Sequence, residues 1–352
     1  MKTLHRLKSK KFIILAGIII LAILPTYLIT SAKQDKNNFK EFSIEKLNEV
    51  SAYKIKYTGE YKFDEFLKKG VTDDLELYDF LDSIGLNPHT NITSGNDIFG
   101  CTIFTVKNQK DEVLFGRNFD WYSHPCTLVY TSPKGAYSSV SMVDLYYIGI
   151  SNIPFSGDDV NNNKHLLSVP YIPLDGVNEC GVAIGVMSLP IAESASDTDK
   201  KTISSLGVVR LVLDYAANVD EAVSLISKYN IYFQKMVPIH YMISDSSGKS
   251  VIVEYVEGKM NVIKNDQPWQ VSTNYVLSGY DNAGRGKDRY NLAEKKLTDT
   301  HNTITKASAM DILQDVSQDG STIWSIVYDL KKKDFDLCVN RKYNRVYSSS
   351  LF

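Results

Sequence analysis

Hydropathy changes character along the chain. From Phe12 to Ala32 no charged residue interrupts FIILAGIIILAILPTYLITSA, a run long enough to cross a bilayer as a helix. Residues 33–100 are mostly charged and helix-prone. NFKEFSIEKLNEV and DDLELYDFLDSIG, the latter with Leu75, Tyr78, Phe80 and Leu81 lining one face, predict a small helical segment, ended by the turn-rich NPHTNITSGND. From Cys101 onward the pattern is that of strands: CTIFTV, EVLFGRNFDW, TLVYTS, VAIGVMSL, IHYMISD, SVIVEYV and MNVIK, with turns at SSGK and VEGK. TIWSIVYDL, KKKD and FDLCVN read as a closing hairpin, and helical stretches fall around Leu206 to Tyr229 and Lys306 to Val316. Many antiparallel strands with segregated helices predict an α+β layered domain.

Composition narrows the function classes. With 352 residues, 43% hydrophobic and 23% charged, the chain has room for one large globular domain and an appendage. Its formal net charge is −2 and its only basic stretch is MKTLHRLKSKK, so no nucleic acid is expected as a partner. Those basic residues precede Phe12, which predicts a cytoplasmic start and export of everything after Ala32. Thr30, Ser31 and Ala32 supply the small residues of a signal-peptidase site, the rival reading, although the apolar run is long for a leader. Either the catalytic domain is extracellular on an anchor in the cell membrane, or it is secreted. The four cysteines, Cys101, Cys126, Cys180 and Cys338, have no metal-ligand spacing, and six scattered histidines add none. No metal, cofactor or disulfide framework is expected, and homo-oligomerisation is left open.

Chemistry concentrates in one hairpin, FGCTIFTVKNQKDEVLFGRNFDWY. Taken alone, Cys101 is a small buried hydrophobe, and Arg117 with Asp120 a surface pair. Two strands and a turn, however, return Arg117 close to Cys101, with Asp120 facing the same spot. A cation beside a thiol favours the reactive thiolate, and a carboxylate there can hold the arginine or an amine.

The GRNFDW segment, Gly116 to Trp121, at this distance from a cysteine resembles the N-terminal nucleophile (Ntn) cysteine hydrolases of the choloylglycine hydrolase and penicillin V acylase family. Acid ceramidase and N-acylethanolamine acid amidase are more distant relatives. The similarity continues through VNECGVAIGVMSLP, STNY, GKDRY and STIWSIVYDL, nearly to the C-terminus. It implies an αββα sandwich of two stacked antiparallel sheets and hydrolysis of a linear amide C–N bond. Cys101 would be the nucleophile and its own α-amino group the base, with Asp120 orienting the amine and Arg117 beside the sulfur. The Asn274 side chain and the Ser188 backbone N–H would face the oxyanion, and Arg289 matches the family's downstream arginine, with Arg285 as second candidate. Because Cys101 is internal, its amine requires a cut between Gly100 and Cys101, most simply by the thiol attacking the preceding carbonyl. That divides the chain into a leader or anchor (1–32), a pro-segment or small subunit (33–100) and a catalytic domain (101–352). Ser188 replaces the asparagine of bile salt hydrolases and the tyrosine of penicillin V acylases, so the small-molecule substrate stays open among conjugated bile acids, penicillin V-like amides and fatty N-acyl amides.

Two rivals stand beside this. A papain-like thiol protease would use Cys101 with His240 as base, although Thr102 follows the cysteine where an aromatic is expected. A non-enzymatic, membrane-tethered binding module would use its 22 tyrosines as a sugar or peptide surface.

Overall fold

The computed structural model describes residues 42–351 apart from 48–49, 87–99, 123, 151–163, 195, 235–236 and 280–282. The apolar run 12–32, with the anchor-or-leader reading and the topology drawn from it, lies outside the described residues, as does most of the loop before Gly100. Among the described residues no helix is long and apolar enough to cross a membrane.

The chain begins with β1 (Phe42–Lys46), β2 (Ala52–Tyr57), α1 (Phe63–Lys69) and α2 (Asp74–Ser83), then β3 (Gly100–Lys107), β4 (Val113–Asp120), β5 (Cys126–Thr131) and β6 (Ser139–Asp144). Next come β7 (Asp175–Asn178), β8 (Ala183–Ser188), β9 (Thr202–Ser204), α3 (Ser205–Tyr215), α4 (Val219–Ile226), β10 (Asn230–Tyr232), β11 (Ile239–Ser244), β12 (Ser250–Val256) and β13 (Lys259–Lys264). The rest is β14 (Trp269–Ser272), β15 (Asn274–Tyr275), β16 (Gly284–Arg285), α5 (Lys287–Thr300), α6 (Lys306–Asp315), β17 (Thr322–Asp329), β18 (Asp334–Val339) and β19 (Val346–Ser350).

These strands form a nine-stranded sheet, β1-β2-β5-β6-β7-β8-β11-β12-β13, and a six-stranded sheet, β14-β3-β4-β17-β18-β19. Both are antiparallel except where β2 runs parallel to β5. The sheets meet through β3 against β8 and β11, α3 packs on β7 and β8, and α5 and α6 pack on β14, β3, β4 and β17. Strands covered on both faces read as continuous apolar runs, and β4, β8, β11, β12 and β17 are buried along their whole length. The expected α+β fold with stacked sheets is therefore present.

The hairpin that carries the chemistry is closed by its polar turn. Asn108 Oδ1 accepts from the backbone N–H of Lys110 and Glu112, each at 3.0 Å, and Asp111 takes the left-handed conformation at φ 65°. Such side-chain-to-backbone bonds are what fit asparagine and aspartate to turns. The register then pairs Gly100 with Asp120, Cys101 with Phe119 and Ile103 with Arg117.

The helical reading of residues 33–100 is corrected at its start. FSIEK and AYKIKY are strands β1 and β2, with Ala52, Tyr53, Ile55 and Tyr57 buried. A neighbour in space, β5, decides the matter where local propensity was ambiguous. The DDLELYDFLDSIG helix forms as α2, but it buries Leu77, Phe80 and Leu81 and leaves Leu75 68% exposed. The stretch from Leu206 to Tyr229 is two helices rather than one, because the Asn218 side chain accepts from Glu221 N at 2.9 Å and starts α4 afresh.

Candidate active site

Cys101 lies at the start of β3, 1% exposed, on the face of the hairpin that looks into the space between the sheets. Arg117, two cross-strand pairs away, reaches its sulfur with Nη2 at 3.8 Å. The guanidinium is fixed on its other edges: Nη1 donates to the carbonyls of Leu174 (3.1 Å) and Val186 (2.7 Å), and Nε faces Asp175 Oδ2 at 3.0 Å. Asp175 is itself held by Trp324 Nε1 (3.0 Å) and Tyr328 OH (2.7 Å). A fully buried cation thus has its carboxylate partner and acceptor carbonyls around it, as burial of charge demands.

On the other side of the cysteine, Asn274 Oδ1 accepts from the Cys101 backbone N–H at 2.6 Å and from Arg289 Nη2 at 3.0 Å. Two donors on that oxygen orient the amide, so that Nδ2 donates to the carbonyl and hydroxyl of Ser188 at 2.9 and 3.1 Å. Arg289 Nη1 also binds the Cys101 carbonyl, and donates to Thr102 Oγ1 at 2.9 Å. Arg285, the second candidate for the downstream arginine, is exposed on β16 and is set aside in favour of Arg289.

Asp120 is fully buried opposite Gly100. Its oxygens accept from Thr322 Oγ1 (2.6 Å) and Gln318 Nε2 (2.5 Å), with Arg289 Nη1 at 3.8 Å. The same Gln318 amide presses on Gly100, where an added Cβ would stand 1.9 Å from Nε2. A side chain at position 100 would require the Gln318 amide to shift away from Asp120.

Burial dominates the electrostatics. It pushes the Cys101 thiol above its ordinary value, with Arg117 opposing and Asp120 adding to the rise. It also lifts Asp120, against the Thr322 and Gln318 donors, and Asp175, against Arg117. Beside the thiol lies a small pocket of about 20 Å³, its wall mostly apolar (Phe119, Leu174, Val186, Leu206 and Ile239 among others), with Ser188, Ser205 and Gln234 as polar members.

His240, proposed as base in the thiol-protease alternative, is engaged elsewhere. It is fully buried, with Nδ1 2.9 Å from Glu254 Oε1 and Nε2 2.8 Å from the Thr273 carbonyl. Neither nitrogen is left to take a proton from Cys101. The geometry therefore brings together Cys101, Arg117, Asp120, Asn274, Arg289 and Ser188. It adds Asp175, Gln318, Thr322 and Thr102, to which the sequence assigned no role. Among the described residues no group of three or more histidine, cysteine, aspartate or glutamate side chains is placed to hold a metal ion.

The chain is similar to several known proteins. Penicillin V acylase of Pectobacterium atrosepticum is 39% identical over 113 residues, 28% of this chain and 29% of that protein. The bile salt hydrolase/transferase of Clostridium perfringens is 32% identical over 190 residues, 47% of this chain and 51% of that protein. The chain thus spans about half or less of the length of the curated relatives it matches. Among solved structures, penicillin V acylase from Agrobacterium tumefaciens aligns with a TM-score of 0.52 at 23% identity, over 68% of this chain and 83% of that one. A mutant of the conjugated bile acid hydrolase from Clostridium perfringens gives 0.52 at 18% identity, over 71% and 92%. At these identities the structural likeness speaks for the fold. The match that reaches the site is to the family described as linear amide C-N hydrolases, choloylglycine hydrolase family, over residues 101–309, which begins at Cys101 and takes in Arg117, Asp120, Ser188, Asn274 and Arg289. On that match the chain belongs to the choloylglycine hydrolase family.

Proposed function

We propose that the protein hydrolyses the C–N bond of N-acyl amides, with Cys101 as nucleophile, after a cut between Gly100 and Cys101 frees the α-amino group that serves as base. The observation that carries this reading is the pair of contacts on one residue: Arg117 at the Cys101 sulfur and Asn274 at the Cys101 backbone nitrogen.

In the maturation step the Cys101 sulfur attacks the Gly100 carbonyl carbon, forming a C–S bond. The C–N bond to Cys101 breaks and the thiol proton passes to the departing nitrogen. Water then hydrolyses the thioester, leaving a Gly100 carboxylate, a free thiol and a free α-amine. An α-amine has a reference pKa of about 7.7 to 8.0 and accepts a proton near neutrality without help from histidine. In turnover that amine takes the thiol proton as sulfur attacks the substrate carbonyl, and returns it to the leaving amine. Asn274 Nδ2 and the Ser188 N–H are the donors assigned to the oxyanion. Water releases the acid from the acyl-enzyme by the same route in reverse.

The apolar wall beside Cys101 suits an uncharged acyl group, aryl or aliphatic. That fits the curated relatives, whose names are penicillin V acylase and bile salt hydrolase/transferase. The test is to incubate cut, purified protein with a conjugated bile acid, penicillin V and a long-chain N-acyl amide, and to detect the free amine and acid by mass spectrometry. At least one should be hydrolysed by wild type and not by Cys101→Ala. Equal product from both proteins on all three would overturn the reading.

A further inference from the structure

The element that carries Asn274 has only a short ladder. After β14 the chain leaves the six-stranded sheet, and among the described residues β15 pairs only with the two-residue β16, Asn274 to Arg285 and Tyr275 to Gly284. Yet the Asn274 side chain meets Cys101 N–H, Arg289 and Ser188 within hydrogen-bond distance. Besides that short ladder and the bond from Val276 N–H to the Ala283 carbonyl, side chains have to hold the backbone from 273 to 278.

His240 on β11 and Glu254 on β12 do so from the adjacent sheet. They are cross-strand neighbours, one step beyond the pair Tyr241 and Val253. His240 Nε2 lies 2.8 Å from the Thr273 carbonyl, and its Nδ1 lies 2.9 Å from Glu254 Oε1. Glu254 grips the other end of the segment. Oε1 accepts from Leu277 N at 3.0 Å, and Oε2 from Ser278 N at 2.8 Å and Ser278 Oγ at 2.6 Å. Asn274 is thus bracketed, with its preceding carbonyl held by the histidine and the amides three and four residues later held by the glutamate. A carbonyl oxygen only accepts, so Nε2 must donate. A carboxylate already receiving three donors accepts from Nδ1 as well. The contacts thus make both ring nitrogens donors, with Arg289 beyond Asn274, Arg285 opposite it on β16 and Lys287 over the Tyr275 ring as cations near this segment.

We propose that His240 and Glu254 are positioning residues, a buried ionic clamp that sets the Asn274 amide against Cys101; the inference rests on the amide-hydrolase reading. Both side chains are fully buried, and such pairs contribute little net stability compared with apolar residues of the same shape. A clamp on a segment held by so short a ladder is a reason for one to stand here.

The experiment combines nitrogen NMR of the ¹⁵N-labelled protein with kinetics on penicillin V. In wild type near neutral pH, His240 should show two ring N–H signals, assigned by their loss in His240→Gln. In Glu254→Ala the Asn274 side-chain amide resonance should move, and kcat should fall about a hundredfold with KM nearly unchanged, the scale of a misplacement of about 1 Å. Glu254→Gln should recover most of that loss, because a neutral ring can donate through Nε2 and accept from the glutamine amide at Nδ1. A single ring N–H in wild type overturns the proposal and needs no variant to fold. So does an unmoved Asn274 resonance in Glu254→Ala, or wild-type kcat in that variant. If penicillin V is not turned over by wild type, the substrate reading fails while the two spectroscopic results still decide the clamp.

Discussion

Asn274 joins the two halves of the site, binding Cys101 through its oxygen and Ser188 through its nitrogen. Loss of one oxyanion donor typically lowers turnover about a hundred- to a thousandfold. Asn274→Ala should therefore depress kcat by roughly that factor with little change in KM on whichever amide is hydrolysed best; steady-state kinetics of the folded, cut variant checks it. Gly100 is the second residue with a sharp expectation. A methyl there meets Gln318 Nε2 at 1.9 Å, and the flexible amide can yield only by leaving Asp120. A buried carboxylate stripped of a donor costs about 1–3 kcal/mol, so Gly100→Ala should slow maturation about tenfold or more, and Gln318→Ala, which removes the same donor, should slow it by a similar factor. Intact mass against time reads both rates. Cys101, Arg117 and Asp120 were legible because a hairpin brings sequence neighbours together. Asp175, Gln318 and Glu254 were not, since their partners Arg117, Asp120 and His240 lie on other strands and no local pattern marks a residue for a distant contact.

Among the elements, β1 and β2 are those the sequence misled on. AYKIKY alternates as a strand does, but charged neighbours gave the surrounding segment a helical look, and the parallel partner β5 is remote in sequence. α5 went unread for a related reason. KDRYNLAEKKLTDT is strongly polar, and its inward stripe is only Arg289, Ala293 and Leu297. The strands after Cys101 were easier, because apolar β-branched and aromatic runs bounded by turns have few other outcomes. Because β2 is an interior strand of the nine-stranded sheet, Ile55, fully buried, should behave as a core residue. Ile55→Ala is expected to cost about 2–5 kcal/mol, read as a lower urea midpoint without loss of the cut at Cys101.

Taken as a molecule, the described residues from Phe42 to Leu86, which precede the proposed cut, belong to the same compact unit as the residues after it. Besides β1 and β2, Tyr61 donates to both oxygens of Asp214 at 2.8 and 2.9 Å, Arg210 faces Asp214 at 2.8 Å, and Phe63 and Phe66 pack on Tyr171. The two fragments should therefore co-elute after cutting and separate only in denaturant, which size exclusion followed by a denaturing gel will show. The most direct test of the central claim is N-terminal sequencing with intact mass of the purified protein, wild type beside Cys101→Ala, each assayed on the same amide. The account predicts two wild-type fragments, one beginning at Cys101, and an uncut, inactive Cys101→Ala. An uncut wild-type chain that hydrolyses the amide would contradict it, because the α-amine base would not exist.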